Sequence, residues 1–223
     1  MREGFSAVKL KIGFGVAADV ALIRACREAI GSQCGLMLDA NHGYDTSEAI
    51  ALGRAVADCN IGWFEEPVVP EDLVGYREVR RGQPIALAGG ETWFTRWNFK
   101  EALNARAVDI IQPDICAAGG LSEAKKIADM AVAFGVRCVP HVWGTGIGLA
   151  AALQLLAVLP HNPPRLCPTE PLLEFDRSEH PFRQAILTQA IEHAAGEVAI
   201  PEGPGLGIDV DRAALRRFAG KPA

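Results

Sequence analysis

Short apolar runs recur along most of the chain, and each is closed by a charged or polar residue before a stretch of helical spacing begins. Over residues 7–13 apolar positions alternate with Lys9 and Lys11, which predicts a strand with both lysines on one face. Further strands are predicted over 36–40, 61–65, 85–89, 108–112, 137–139 and 166–169. The intervening segments read as helices. The first covers 16–30 and stops at Gly31; the next runs 46–58, with Asp45 and Glu48 spaced as a capping box. Others follow over 71–81, 96–105 and 121–134, the last started by Ser122 and Glu123 and closed by Gly135. A glycine-rich turn, Gly144-Thr145-Gly146-Ile147-Gly148, leads into a strongly apolar helix reaching Leu159. Beyond residue 170 the period is lost, and only a short strand over 197–200 and a helix over 211–218 are predicted.

The residues that close the strands are Lys11, Asp39, Glu65, Glu91, Asp114, His141 and Glu170, at steps of 23 to 29 residues. That is the period of a strand-helix unit, and steady alternation implies a parallel sheet. Polar residues at every strand end, instead of at one switch point, favour a TIM-type (β/α) barrel over an open doubly wound sheet. Seven units leave it one strand short of the eight that close such a barrel.

Composition narrows the partners. The 223 residues are enough for one sizeable core, and a net charge of −5 offers no basic face for nucleic acid. No apolar run approaches the roughly 20 residues that span a bilayer, and the N-terminus lacks the pattern of a signal peptide. Cys26, Cys34, Cys59, Cys116, Cys138 and Cys167 are scattered without a CxxC pair, as expected of reduced residues in a cytoplasmic protein.

In Trp63-Phe64-Glu65-Glu66-Pro67 a strand ends in two acids and is stopped by proline. A parallel strand is buried on both faces, so acids at its end point into a site. Asp39, Glu65 and Glu91 repeat this at 26-residue steps, and three carboxylates in register suit a hard divalent cation. The bland alternative is that each acid caps the helix after its own strand. Lys9 and Lys11 share a side; near one another and a metal they are expected to have the lowered proton affinity of a general base. Asp114 and His141 end adjacent strands, so the aspartate can fix the imidazole tautomer. Glu170 is a candidate hydrogen-bonding partner for a substrate oxygen. The glycine turn at 144–148 suits either a phosphate or close approach of substrate.

The ordered set Lys9-Leu10-Lys11, Asp39-Ala40-Asn41, Glu65-Glu66-Pro67, Gly90-Glu91, Asp114 and His141 resembles the barrel domain of the enolase superfamily, mandelate racemase subgroup. Sites of that superfamily use a Lys or His base, with Mg²⁺ holding an enediolate. The resemblance implies that Asp39, Glu65 and Glu91 bind Mg²⁺. It makes Lys11 a base with Lys9 beside it, His141 with Asp114 the opposing acid or base, and Glu170 an electrophilic acid. Asn41, His42 and Trp143 are the candidate substrate contacts. Asp114 stands where the muconate cycloisomerase and dipeptide epimerase branch has a lysine.

The stretches KIGFGV, DANHGY, WFEEPVVPE, AGGETW, PHVWGTG, EFDR and IPEGPGLGI are similar to the subgroup's cycloisomerases, which open an aldaric-acid lactone such as D-galactarolactone by β-elimination. An acid-sugar dehydratase or racemase of the subgroup is the alternative. Phe94 departs from the pattern and bears on the identity of the substrate. The expected partners are a small-molecule acid sugar or sugar lactone, with no nucleic acid and no membrane, and further copies in a homo-oligomer when full length. Family members carry an α+β capping domain and a first barrel strand before the Lys-x-Lys strand. The expectation is therefore an incomplete barrel over 1–175, strands two to eight, and a tail over 176–223 that would pack on the capping domain. A reading of another class also stands: an inactive fragment that folds only with the missing parts.

Overall fold

The computed structural model describes residues 3–161, 163–164, 166–167 and 171–219. Strand β1 (Ala7–Lys11) leads to helix α1 (Val16–Ile30), then β2 (Gly35–Asp39), α2 (Thr46–Ala55), β3 (Ile61–Glu65), α3 (Leu73–Gly82), β4 (Leu87–Gly89) and α4 (Thr95–Ala105). After these come β5 (Ile110–Ile111), the short α5 (Ile115–Ala118), α6 (Leu121–Ala133), β6 (Arg137–Cys138) and α7 (Gly146–Leu156). The last part holds α8 (Pro181–Ala185), β7 (His193–Ala194), β8 (Glu197–Val198) and α9 (Arg212–Phe218). Strands β1 to β6 form one parallel sheet in sequence order, while β7 and β8 pair separately as an antiparallel ribbon. A parallel sheet wound in one direction with helices between its strands is the arc of a (β/α) barrel.

The two faces of the sheet separate by the alternation of the strands. Leu36, Leu38, Phe64, Leu87 and Ile111 pack outward, in one cluster with Ile23, Leu52, Phe99 and Ile127 of the surrounding helices. Met37, Trp63, Ala88, Ile110 and Val139 cluster on the inner face. Lys9 pairs in register with Met37, Lys11 with Asp39, and Asp39 with Glu65. Two-residue periodicity therefore carries Lys9, Lys11, Asp39 and Glu65 onto the inner face, above a short apolar layer.

Local chemistry fixes the helix starts. Asp45 and Glu48 form the expected capping box of α2, Asp72 accepts from Gly75 N at the start of α3, and Thr145 accepts from Gly148 N at the start of α7. The helix at 121 departs from expectation. Its N-cap is Gly120, and Glu123 instead takes up the Arg96 guanidinium of α4.

Among the described residues six strands pair in the parallel sheet. Leu166, expected in the last strand, is fully exposed outside any strand, and residues 168–170, Glu170 among them, lie outside the described residues. The segment 171–175 is in no strand, and Leu172 packs on the inner cluster, as does Ala7 of β1. The tail also holds α8, which no period announced. It joins α5, α7 and the segment near residue 191 in a second core around Leu149, Leu153, Leu155, Ile186 and Leu187. No helix among the described residues is long and apolar enough to cross a membrane.

Candidate active site

Asp39, Glu65 and Glu91 converge at the C-terminal ends of β2, β3 and β4. One oxygen from each lies within 4.8 Å of the others. Asp39 and Glu65 are buried, and Glu91 is mostly so. The capping alternative does not describe them, since α2, α3 and α4 start at Asp45, Asp72 and Phe94. Gly90 makes the turn that delivers Glu91: its φ is 139°, and a Cβ there would meet Phe99 at 2.8 Å and Gln112 N at 3.0 Å.

Asp39 and Glu65 are oriented by hydrogen bonds of their own. Asp39 Oδ1 accepts from Asn41 N at 2.9 Å. Glu65 Oε2 accepts from the Trp63 indole at 2.9 Å and from Gln112 Nε2 at 2.7 Å. Glu91 Oε2 is buried without a hydrogen-bond donor. An all-oxygen set with one orphaned buried oxygen has the chemistry of a hard-cation site, and Mg²⁺ prefers a few carboxylates with positions left for water or substrate.

Lys9 Nζ lies 2.7 Å from Glu65 Oε1, 3.5 Å from Asp39 Oδ2 and 2.5 Å from Glu174 Oε1, and Lys11 Nζ lies 2.5 Å from Asp39 Oδ2. The charges of the surrounding carboxylates act against the lowered proton affinity expected of the lysines. Burial does lower both, but for Lys9 it is outweighed by Glu65, Glu174 and Asp39, and for Lys11 by the hydrogen bond and charge of Asp39, so both are raised. The mutual repulsion of the two ammonium groups is a smaller effect than carboxylates within 3 Å. Burial works to raise Asp39, but Lys9, Lys11 and the Asn41 amide hold it below the usual range. Burial dominates at Glu65 and pushes it up to about 7 against the opposing charge of Lys9.

His141 Nδ1 donates to Asp114 Oδ2 at 2.8 Å. Asp114 is held in turn because its Oδ1 accepts from Cys116 N and Ala117 N at the start of α5. The second ring nitrogen, Nε2, faces Glu91 Oε2 at 3.2 Å and Glu174 Oε2 at 4.0 Å. Burial lowers the imidazole, yet Asp114, Glu174 and Glu91 together raise it.

Glu174 is the acid that sequence reasoning missed. It bridges the two edges of the sheet, with Oε1 on Lys9 and Oε2 accepting from Val142 N at 3.0 Å. The signal was present: Leu172-Leu173-Glu174 repeats the apolar-then-acid ending of Met37-Leu38-Asp39. Arg183 secures this segment. It pairs with Asp176 Oδ2 and donates to the carbonyls of Asp176, Ser178 and Gly144.

The three candidate substrate contacts are placed differently. Asn41 is exposed at the mouth, and its backbone serves Asp39. Trp143 is 60% exposed, meets the His180 ring edge-on at 5.8 Å, and borders a small cavity with Thr145, Glu174 and Arg183. His42 turns inward: Nδ1 contacts Val68 O at 3.1 Å and Nε2 lies 3.2 Å from Glu66 Oε2. A ring nitrogen facing a carbonyl donates, so Nδ1 carries a proton. Burial first, then Glu91, push the Glu66 carboxyl up to about 8.

A family model described as Enolase C-terminal domain-like matches residues 1–214. The chain is 57% identical over 216 residues to D-galactarolactone cycloisomerase of Agrobacterium fabrum, covering 97% of this chain and 57% of that protein. Its fold superposes on the 3,6-anhydro-D-galactonate cycloisomerase from Zobellia galactanivorans with a TM-score of 0.91 and 43% identity, over 99% of this chain and 60% of that one. An enolase from Bradyrhizobium, whose crystal structure is complexed with magnesium and mandelic acid, matches with a TM-score of 0.82 and 32% identity, over 97% of this chain and 55% of that one. The chain thus spans between half and two thirds of the length of each of these relatives. By the family match and this identity, the chain, a partial barrel, belongs to the Enolase C-terminal domain-like family.

Proposed function

We propose that this chain carries the catalytic centre of a Mg²⁺-dependent lactone cycloisomerase acting on an aldaric-acid lactone such as D-galactarolactone. One observation carries the reading. Three carboxylates share a point, and a lysine pair and an Asp-supported imidazole each touch that cluster. The likeness to D-galactarolactone cycloisomerase supports the choice of substrate class.

Asp39, Glu65 and Glu91 would hold Mg²⁺, which supplies positive charge against the substrate carboxylate and the second charge that develops there when the α-proton leaves. Lys11 is more than half exposed and is the base placed to take that proton; a cation held by Asp39 would offset the carboxylate charge that raises Lys11. As the C–H bond breaks, its electron pair forms the α,β double bond, and the ring C–O bond at the β carbon breaks, releasing the lactone's own carboxylate. His141, kept in one tautomer by Asp114, delivers a proton to the β carbon as the enol becomes the keto acid. Lys9 and Glu174 border the space between these groups and fix its charge. Water is neither consumed nor released, so the product is an isomer, a 3-deoxy-2-keto diacid.

The test is incubation of the protein with D-galactarolactone and Mg²⁺ in D₂O, followed by NMR. The expected result is a ring-opened keto acid with deuterium at the β carbon, abolished by EDTA and by Lys11→Ala or His141→Ala. Turnover of open-chain aldarates with loss of water, and none of the lactone, would instead indicate the acid-sugar dehydratase. No turnover of either class would favour the inactive fragment.

A further inference from the structure

We propose that Glu66 is a positioning residue of the candidate metal centre, tying the three ligand-bearing loops together through Thr92 and His42. The inference rests on the metal-centre reading above and deepens it.

Glu66 is a fully buried carboxylate that the reaction does not use. An acid removed from water costs free energy unless it has partners, so its contacts indicate what it is there to hold. It follows the candidate ligand Glu65 directly. Its Oε1 accepts from Thr92 Oγ1 at 3.0 Å, and Thr92 follows the candidate ligand Glu91. Its Oε2 lies 3.2 Å from the Nε2 of His42, in the turn that follows the candidate ligand Asp39. The backbone repeats the same ties: His42 N donates to Glu66 O at 2.7 Å, and Glu66 N donates to Ala88 O at 3.1 Å.

One residue therefore touches the loop of each of the other two ligands. The arrangement is held at positive φ by Asn41 (42°), His42 (66°) and Glu66 (45°), a conformation unfavourable for side-chain-bearing residues. Three such residues around one contact show that the tertiary structure imposes these turns. Separation of the three oxygens is set by the separation of their loops, and Glu66 spans both gaps.

The roles of acceptor and donor can be kept without the charge. In Glu66→Gln the amide oxygen still accepts from Thr92, and the NH₂ group keeps the contact that Oε2 makes with the His42 ring. Glu66→Ala removes both ties, and Thr92→Val removes one while leaving the carboxylate. A residue that only stabilised the fold would lower the melting temperature in these variants without changing cation affinity in the folded protein.

The experiment measures Mn²⁺ affinity by EPR titration for the parent protein, Glu66→Gln, Glu66→Ala, Thr92→Val and Asp39→Asn, with circular dichroism to confirm folding. Positioning predicts affinity about 10- to 100-fold weaker in Glu66→Ala. Thr92→Val should be weakened by about 3- to 10-fold, the loss of one hydrogen bond, and Glu66→Gln should stay within about 3-fold of the parent. If Glu66→Ala does not fold, Thr92→Val against Glu66→Gln decides the matter. Parent-like affinity in Glu66→Ala and Thr92→Val, with binding lost in Asp39→Asn, overturns this inference and leaves the metal centre standing. Equal losses in Glu66→Gln and Glu66→Ala also overturn it, because the charge and not the ties would then be what matters. A parent protein that binds no Mn²⁺ overturns both.

Discussion

The Glu174 carboxylate lies 2.5 Å from the Lys9 ammonium and so joins the first strand of the sheet to a segment beyond its last. Its other oxygen is held by Val142 N, next to His141, so a single side chain borders both halves of the site. Glu174→Gln is expected to lower kcat about 100-fold with a smaller change in KM, as for other groups that act on developing charge. Steady-state kinetics check it, and unchanged kcat would remove Glu174 from the mechanism.

Cation binding should stabilise the protein. At Mg²⁺ a hundredfold above its Kd, linkage adds about 2.7 kcal/mol, a rise of a few degrees in Tm. Asp39→Asn or Glu65→Gln should abolish that rise. Differential scanning fluorimetry with and without EDTA measures it, and a Tm indifferent to Mg²⁺ counts against the carboxylate cluster as a metal centre.

Asp114 serves both His141 and the start of α5, so its removal has two separable effects. Asp114→Asn should retain the capping acceptor and cost little stability, yet lower kcat by orders of magnitude through the wrong imidazole tautomer. Asp114→Ala adds about 1 kcal/mol of lost capping. Urea denaturation beside kinetics separates the two.

The Arg183 guanidinium binds Asp176, Ser178 and Gly144 at once, fixing the segment that follows Glu174 against the loop that follows His141. Arg183→Lys cannot reproduce a planar fork and should fare nearly as badly as Arg183→Met, about 10-fold in kcat/KM. Full activity in the lysine variant would show that charge alone suffices there.

The Arg96 and Glu123 pair joins α4 to α6 and sets a pH dependence away from the site. The hydrogen bonds from Arg96 hold the Glu123 carboxyl down to about 2, below its ordinary 4.5. A carboxyl depressed in the folded state stabilises above its unfolded value, and that contribution is lost as the pH falls from about 4.5 toward 2. Glu123→Gln should therefore flatten the stability profile in that window and leave it unchanged in shape near pH 7. Urea midpoints across the range test this.

The sheet order, the capping box at Asp45 and the carboxylates Asp39, Glu65 and Glu91 were all legible in the chain. Each arises from a strand-helix repeat in which an apolar run buries itself and the polar residue at its end cannot, a relation between near neighbours in sequence. The pairing of Asp114 with His141 was legible for the same reason, since the two end successive strands.

The place of Glu174 was not. Residues 172–174 carry an apolar-then-acid signal, and the packing of Leu172 on the inner face and the Lys9 contact bring Glu174 into the site. The lysines' tight hold on their protons depends on carboxylates 28 and 56 residues away, and Glu66 on two turns that come together only when the strands align. The sequence by itself determined which residues would stand at the strand ends, because burial and period are local. The tertiary structure alone decided which of them share a charge, because electrostatic coupling depends on distances of a few ångströms that the spacing along a chain does not specify.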